Sequence, residues 1–210
     1  GFASGSCQLG AACNNKGRGY ANFRLLKLGD DFFLSMQPGV LEIAMQTLQK
    51  YIPFYKAQMS DASHRFKRFG LAGNQAAELL KNIVPALPEK NCSTNVDGNI
   101  FINISDNLPR YELWLDDSNS ADIQARIKTL PRQEKSAWDI LDLEAGILLI
   151  QDSESTLYTP EELNLDLAGF ISFNKGCYTG QEIVARMHFR GKANKRLFLA
   201  SFETDAAAEN

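Results

Sequence analysis

A strand–strand–helix–strand order occurs roughly twice along this chain, and it restricts the fold more than any other feature. Gly19 to Leu28 alternates as a strand does, Gly29-Asp30-Asp31 makes a turn, and Phe32 to Met36 resumes the alternation, which predicts a hairpin. Pro38 and Gly39 then open a segment in which Val40, Leu41, Ile43, Ala44, Leu48 and Ile52 recur at helical intervals. Strands are expected over Phe54 to Met59 and Arg65 to Ala72. Gly73-Asn74 breaks the second, and Gln75 to Ile83 follows as a short helix ending before Pro85. In the second cycle, strands at Gly98 to Ile104 and Tyr111 to Leu115 flank a polar turn at Ser105 to Asn107. Ser120 to Leu130 and Trp138 to Ala145 are then helical, the latter ended by Gly146. The order argues for an α+β architecture of antiparallel sheets backed by helices.

Two regions of this pattern stay open. The first hairpin starts so near Gly1 that its sheet is short of the strands needed to cover an edge. Leu197 to Phe202 reads as a strand with no partner after it, so a further domain is expected to begin near Lys195 and to be cut off. Residues before Gly1 are expected to be missing as well, and Gly1 to Ser6 looks like a ragged boundary rather than a folded start.

With 44% hydrophobic and 22% charged residues among 210, the chain is ordinary globular material of one large domain or two small ones. Its longest apolar runs, such as Ala145 to Ile150, fall far short of the ~20 residues of a bilayer-spanning helix, and no basic start with an apolar centre opens it. No membrane role is expected. The 22 basic and 25 acidic residues leave no global footprint for nucleic acid. A local one runs from 186 to 196, where Arg186, Arg190, Lys192, Lys195 and Arg196 occur without an acid and with His188 and Phe189 interleaved. It is either a solvated linker or an anion site for phosphate, RNA or a carboxylate-rich ligand tail.

Cys7, Cys13, Cys92 and Cys177 are scattered without Cys-x-x-Cys spacing, which suits a reducing, cytoplasmic compartment better than a zinc site or a secreted disulfide framework. The five residues between Cys7 and Cys13 are weak evidence for shared ligation, and His64 and His188 are too few for a multi-histidine centre. No resident metal is expected. An iron–sulfur cluster would need cysteines from more than one segment or chain.

Chemistry concentrates at Lys175-Gly176-Cys177-Tyr178-Thr179-Gly180-Gln181-Glu182. Thr179 and Glu182 have the spacing of a capping box, with Ile183, Val184 and Met187 as the apolar face of the helix behind it. A thiol beside such a start is favoured as thiolate by the unpaired N–H groups and the helix dipole, an effect that Lys175, Arg186 and His188 would strengthen by folding back. Cys177 is therefore either a reactive thiol or a buried structural cysteine.

These residues resemble the YgfZ family of folate-binding proteins, relatives of the T-protein of the glycine cleavage system. Lys175 to Glu182 is similar to that family's Lys-Gly-Cys-Tyr-x-Gly-Gln-Glu signature at every specified position, and Ile183 to Arg186, Arg190-Gly191 and Asn194-Lys195-Arg196 are similar to its continuation. Leu143-Glu144-Ala145-Gly146 resembles a segment shared with the T-protein, and Asn15 to Arg18 with Asn22 resembles the family's first hairpin. The resemblance implies a T-protein-like fold of three pseudo-symmetric domains around a folate cavity, the third a small β-barrel. Residues 1–190 would be the folate-binding region of two α+β subdomains, incomplete at its start, and 191–210 the beginning of a truncated C-terminal β-barrel.

The resemblance further implies a tetrahydrofolate-binding accessory protein for assembly, repair or maintenance of iron–sulfur enzymes. Its partners would be those enzymes or cluster carriers, and its effect on tRNA modification would be indirect, through tRNA-thiolating enzymes. Cys177 carries over as the essential thiol, within the motif residues Lys175, Gly176, Tyr178, Gly180, Gln181 and Glu182. Trp138 takes the place of a tryptophan associated with the folate site, where an indole stacks on a flat pterin; otherwise it is core packing under Leu141, Leu143 and Ile147. Glu144 either accepts paired hydrogen bonds from a pterin edge or ends a helix against solvent. The alternatives are a folate-dependent aminomethyltransferase like the T-protein, or a direct tRNA-binding factor acting through 186–196. Whether there is catalytic turnover is left open.

Overall fold

The computed structural model describes residues 3–191 and 195–201. Strands β1 (Cys7–Cys13), β2 (Gly19–Leu28) and β3 (Asp31–Ser35) pair antiparallel in that order. Strands β4 (Phe66–Ala72), β5 (Ser93–Val96), β6 (Asn99–Asn103) and β7 (Arg110–Asp116) form a second antiparallel sheet, ordered β4-β7-β6-β5. The helices are α1 (Pro38–Leu48), α2 (Asn74–Lys81), α3 (Ala121–Ile127), α4 (Lys135–Glu144) and α5 (Gln181–Arg190). The α+β expectation of antiparallel sheets backed by helices is met.

Three departures have physical reasons. β1, unread in the sequence because its small residues carry little strand signal, pairs with β2 and covers the edge that the hairpin alone would leave bare. Phe54 to Met59 is not a strand: Ile52–Tyr55 is a 3-10 turn and the chain is irregular after it. Pro53, with fixed φ and no N–H, suits the opening of that turn and not a ladder. Leu197 to Ser201 carries no strand among the described residues, and Phe202, with the tail after it, lies outside them.

The period-two pattern decides how the sheets stack. On β7, Tyr111, Leu113 and Leu115 join Phe101 of β6 and Leu71 of β4 in a core closed by Ala76 and Leu80 of α2, with half-buried Ile123 and Ile127 of α3. The other face contributes Ile100, Ile102 and Trp114, which pack with Cys7 and Leu26 from the first sheet. A third core joins Tyr20 and Ala21 of β2, Val40 and Ala44 of α1 and Val184 of α5 to Ile150, Leu163, Leu165 and Phe170 from the long irregular segment after α4. Cys7 and Cys13, at the two ends of β1, thus belong to different cores, which removes the spacing argument for shared ligation.

Backbone bonds stitch the sheets at one end, where Ser6 bridges Cys92 and the Ser93 N–H donates to Gly5 at 2.7 Å. Between them lies a charged pair: Arg24 Nε of β2 donates to Glu112 Oε1 of β7 at 3.1 Å, with only 9% and 12% of the two side chains exposed. Arg68 of β4 reaches the second oxygen at 3.5 Å, and Trp114 Nε1 donates to it at 3.4 Å. Burial alone would raise the Glu112 carboxyl, but Arg24, then Arg68 and the hydrogen bonds, outweigh it and hold it below its ordinary value.

Glu112→Leu leaves Arg24 uncompensated and should cost about 3–5 kcal/mol in urea unfolding, most of it recovered by the pair Arg24→Met/Glu112→Leu. Because the folded carboxyl binds its proton less readily than the unfolded one, its contribution is present above about pH 4.5 and lost as pH falls through the folded value. Equal stability of wild type and Glu112→Leu at neutral pH would show that the pair does not join the sheets.

Candidate functional site

The signature loop is seated by the turn between β1 and β2. Asn14 Oδ1 accepts from the N–H groups of Lys16 and Arg18 at 2.9 and 3.1 Å, and the Gly17 N–H donates to the Asn14 carbonyl at 3.0 Å, closing a tight turn between β1 and β2. Against it rests Gly180, whose φ of +82° is left-handed and which has room for no side chain, since a Cβ would strike the Asn14 carbonyl. Gly17 in turn lies against Ile183 in the first turn of α5. Two of the segments that carry the family resemblance, the Asn15–Arg18 turn and the Lys175–Glu182 motif, are thus one packed unit.

The helix start differs from the sequence expectation. Gly180, not Thr179, is the N-cap of α5, and no side chain caps it. The Thr179 hydroxyl instead lies 3.4 Å from that of Tyr51, and Gln181 Oε1 accepts from the Tyr178 N–H at 3.2 Å. A left-handed glycine turns the chain too sharply for a Thr179–Glu182 box to form.

Cys177 is exposed on this loop, four residues before α5 begins, so it is not the buried structural cysteine of the alternative reading. Lys175 places its ammonium 4.5 Å from the centre of the Tyr178 ring, a cation–π contact within the motif. Tyr178 itself turns its hydroxyl inward, where it has no hydrogen-bond partner. His188 is occupied elsewhere: its ring stacks on Phe173 at 3.7 Å, with Phe189 edge-on to both. Arg196 makes a two-pronged ion pair with Asp166 at 2.6 and 2.9 Å. That removes one cation from the basic segment, and Lys192 and Asn194 lie outside the described residues.

Trp138 is a second, separate feature. It is half-buried on α4, and its ring lies on the β4 backbone at Gly70, where a Cβ would fall 2.5 Å from the indole. The Arg110 guanidinium stands 4.4 Å from the ring centre and is held there by the Leu141 carbonyl at 3.0 Å and by Asp142. Burial pushes the Asp142 carboxyl up despite Arg110. Glu144 is exposed at the last position of α4, so the buried acid of this helix is Asp142 and not Glu144. Trp138 packs against the core between the sheets, whereas Cys177 is exposed and belongs to none of the three cores.

Several side-chain contacts of this region were not readable in the sequence. Asn22, 1% exposed, uses its side-chain amide as a strand would: Nδ2 donates to the Leu148 carbonyl at 2.5 Å and Oδ1 accepts from the Ile150 N–H at 2.8 Å. Glu161 is buried while its neighbour Glu162 caps the turn from Thr159, whose N–H donates to Glu162 Oε2 at 2.9 Å. The Thr-Pro-Glu-Glu string was a readable capping box, and recognising it would have singled out Glu161 as the acid left over.

The chain is 36% identical over 190 residues to the tRNA-modifying protein YgfZ of Edwardsiella ictaluri, covering 89% of this chain and 57% of that protein. With the YgfZ of Escherichia coli O7:K1 the identity is 35% over 190 residues, covering 90% and 58%. Over this span the chain belongs to the YgfZ family. It spans less than three-fifths of the length of these YgfZ relatives. No family model matches the chain. Among solved structures, the glycine cleavage system aminomethyltransferase T of Bartonella henselae superposes with a TM-score of 0.69 at 17% identity, over 90% of this chain and 55% of that one. That likeness establishes a shared fold.

The two motif glycines should respond differently to alanine. Gly180→Ala carries a left-handed backbone cost of about 1–2 kcal/mol before its clash with Asn14 is counted. Gly176→Ala meets open space and should stay within about 0.5 kcal/mol of wild type in thermal unfolding. Equal effects would mean that the turn at Asn14 does not seat the loop.

Proposed function

We propose that this chain is the tetrahydrofolate-binding part of a YgfZ-type accessory protein that maintains iron–sulfur enzymes, with Cys177 as its essential thiol and its effect on tRNA modification passing through cluster-dependent thiolating enzymes. The observation that carries the reading is the exposure of Cys177 on a loop whose every specified residue follows the family signature and whose base is locked by Gly180 and Asn14. An exposed thiol on a rigid seat is accessible to a one-carbon adduct, a sulfur species or a cluster iron, and a thiolate is competent toward all three. The name shared by the relatives, tRNA-modifying protein, supports the tRNA end of the proposal.

Folate is the proposed ligand because the fold is that of an aminomethyltransferase T. Trp138 is its proposed aromatic contact: Gly70 and Arg110 fix the indole while part of it stays exposed, so little conformational freedom is lost on stacking. Glu144, at the exposed end of the same helix, is the proposed acidic contact. The residues around Trp138 fit a flat heteroaromatic group with a hydrogen-bonding edge, since Arg110 Nε is a buried donor without a partner and the Asp142 carboxyl stands next to it. Residues 191–210 remain the proposed start of a further, C-terminal β-barrel domain.

The shared fold also keeps the aminomethyltransferase reading in view. It is distinguished by product, because an aminomethyl donor would then yield methylene-tetrahydrofolate. Direct tRNA binding is the weaker alternative: Arg196 is already paired with Asp166, and the chain carries more acids than bases.

The test is tetrahydrofolate binding followed by tryptophan fluorescence, which reports on Trp114 and Trp138 alone. Trp138→Phe should weaken binding about two- to tenfold, the value of the lost stacking, while Cys177→Ser binds as wild type does. Unchanged affinity in Trp138→Phe would remove the folate site from this helix.

A further inference from the structure

Among the described residues, four buried side-chain polar atoms have no hydrogen-bond partner, and three of them belong to Glu161 and to the motif residue Tyr178. Glu161 is 2% exposed with both carboxylate oxygens unpaired, and the Tyr178 hydroxyl is in the same condition. The two lie within electrostatic reach of each other, and Cys13, buried at the end of β1, lies within reach of both. Native interiors rarely leave such atoms unsatisfied, because each costs about 1–3 kcal/mol, and the usual remedy is an internal water with two to four polar partners. Three orphan oxygens within electrostatic reach of one another meet that condition.

We propose that Glu161 is a positioning residue for the thiol loop: through its proton and an internal water it anchors the Tyr178 hydroxyl, and ionisation of the carboxyl loosens the loop and raises the reactivity of Cys177. The proposal rests on the reading of Cys177 as the working thiol, and it goes beyond that reading by assigning the loop a control in the core. The chain path supports it. Tyr178 is the residue after Cys177, its N–H is fixed by Gln181 and its ring by Lys175, so its hydroxyl is the one part of this anchor still without a partner.

The surroundings of the carboxyl favour the acid form. Burial is the main effect and raises it; its own backbone N–H opposes this without meeting hydrogen-bond geometry to either oxygen, Asp166 raises it further, and Arg196 and His188 lower it. Cys13 is pushed up to about 11, first by burial and then by Glu161, with Lys175 opposing, and Tyr20 beside it to about 12, so both stay neutral at physiological pH. Burial, then Cys13 and Glu161, raise Tyr178 as well. Glu161 is the one carboxyl of this buried group of four, and burial holds its proton above the ordinary carboxylate range. Its folded state holds the proton more tightly than the unfolded chain does, so between its ordinary value near 4.5 and its folded value stability falls as pH rises.

The test is the rate of Cys177 alkylation by iodoacetamide from pH 5 to pH 9, read on the Cys177 peptide by mass spectrometry. Wild type should show a step in addition to the thiol's own titration, and Glu161→Gln, which keeps the shape but cannot ionise, should lack it. Tyr178→Phe should lose the step too and react about fivefold faster at the acid end, the equilibrium weight of one net hydrogen bond. Glu161→Gln should also remove the loss of thermal stability on going from acid to neutral pH. A Glu161→Gln profile that superimposes on wild type, or a Tyr178→Phe rate equal to it, overturns the proposal; Tyr178→Phe decides the matter alone if the first variant does not fold. Because alkylation is a chemical probe, its outcome is independent of whether Cys177→Ser retains biological activity, so failure of the anchor and failure of the thiol assignment are told apart.

Discussion

The ion pair of Arg24 and Glu112 is the constraint on which the arrangement of the two sheets depends. Each residue sits on a face that otherwise carries Leu26, Ile100, Ile102 and Trp114, and neither charge is tolerable there without the other. Apolar side chains alone would let the sheets slide over one another, since burial is non-directional. A carboxylate that must meet one arginine from the opposite sheet, a second from β4 and an indole N–H leaves a single register. With that register set, Gly70 faces Trp138, and Arg110 reaches the carbonyl and carboxylate of α4.

The second fixed point is the contact between two backbone turns. Asn14 closes the loop between β1 and β2 with its side chain, and Gly180 turns left-handed against its carbonyl. Glycine is needed there for two independent reasons, the sign of φ and the lack of space, whereas Gly176 in the same motif faces neither constraint. The motif therefore has a rigid half, from Gly180 into α5, and an open half, from Lys175 to Cys177, where the thiol meets solvent. Tyr178 joins the halves, and its hydroxyl is buried without a hydrogen-bond partner.

Much of the fold was legible in the sequence because its strong elements repeat their apolar positions at clear intervals: β2, β4, β7, α1, α2 and α4 all lie within a few residues of the expected bounds. What escaped was carried by weak or shared signals. β1 is built of small residues, and β5 is a short polar strand whose pairing with β6 was announced only by Asp97-Gly98, both at positive φ in the turn between them. Thr179–Glu182 has the spacing of a capping box without making one, while Gln151–Glu154 and Thr159–Glu162 make reciprocal contacts of that kind. At the site, the place of Cys177 before a helix was readable from its motif. The pairing of Asn22 with the 148–150 backbone and the clamp of Arg110 on Trp138 join residues remote in sequence, and no local pattern encodes them.

The picture that results is a chain that presents an exposed thiol at one place and a fixed indole at another, in a fold shared with an aminomethyltransferase. The claim at its centre is that the thiol does the work. The most direct measurement replaces Cys177 by serine in the chromosomal gene and compares cluster-dependent tRNA thiolation with that of the parent strain. The account predicts loss of thiolation with the protein still folded and present at parental levels; full thiolation in the serine strain would contradict it.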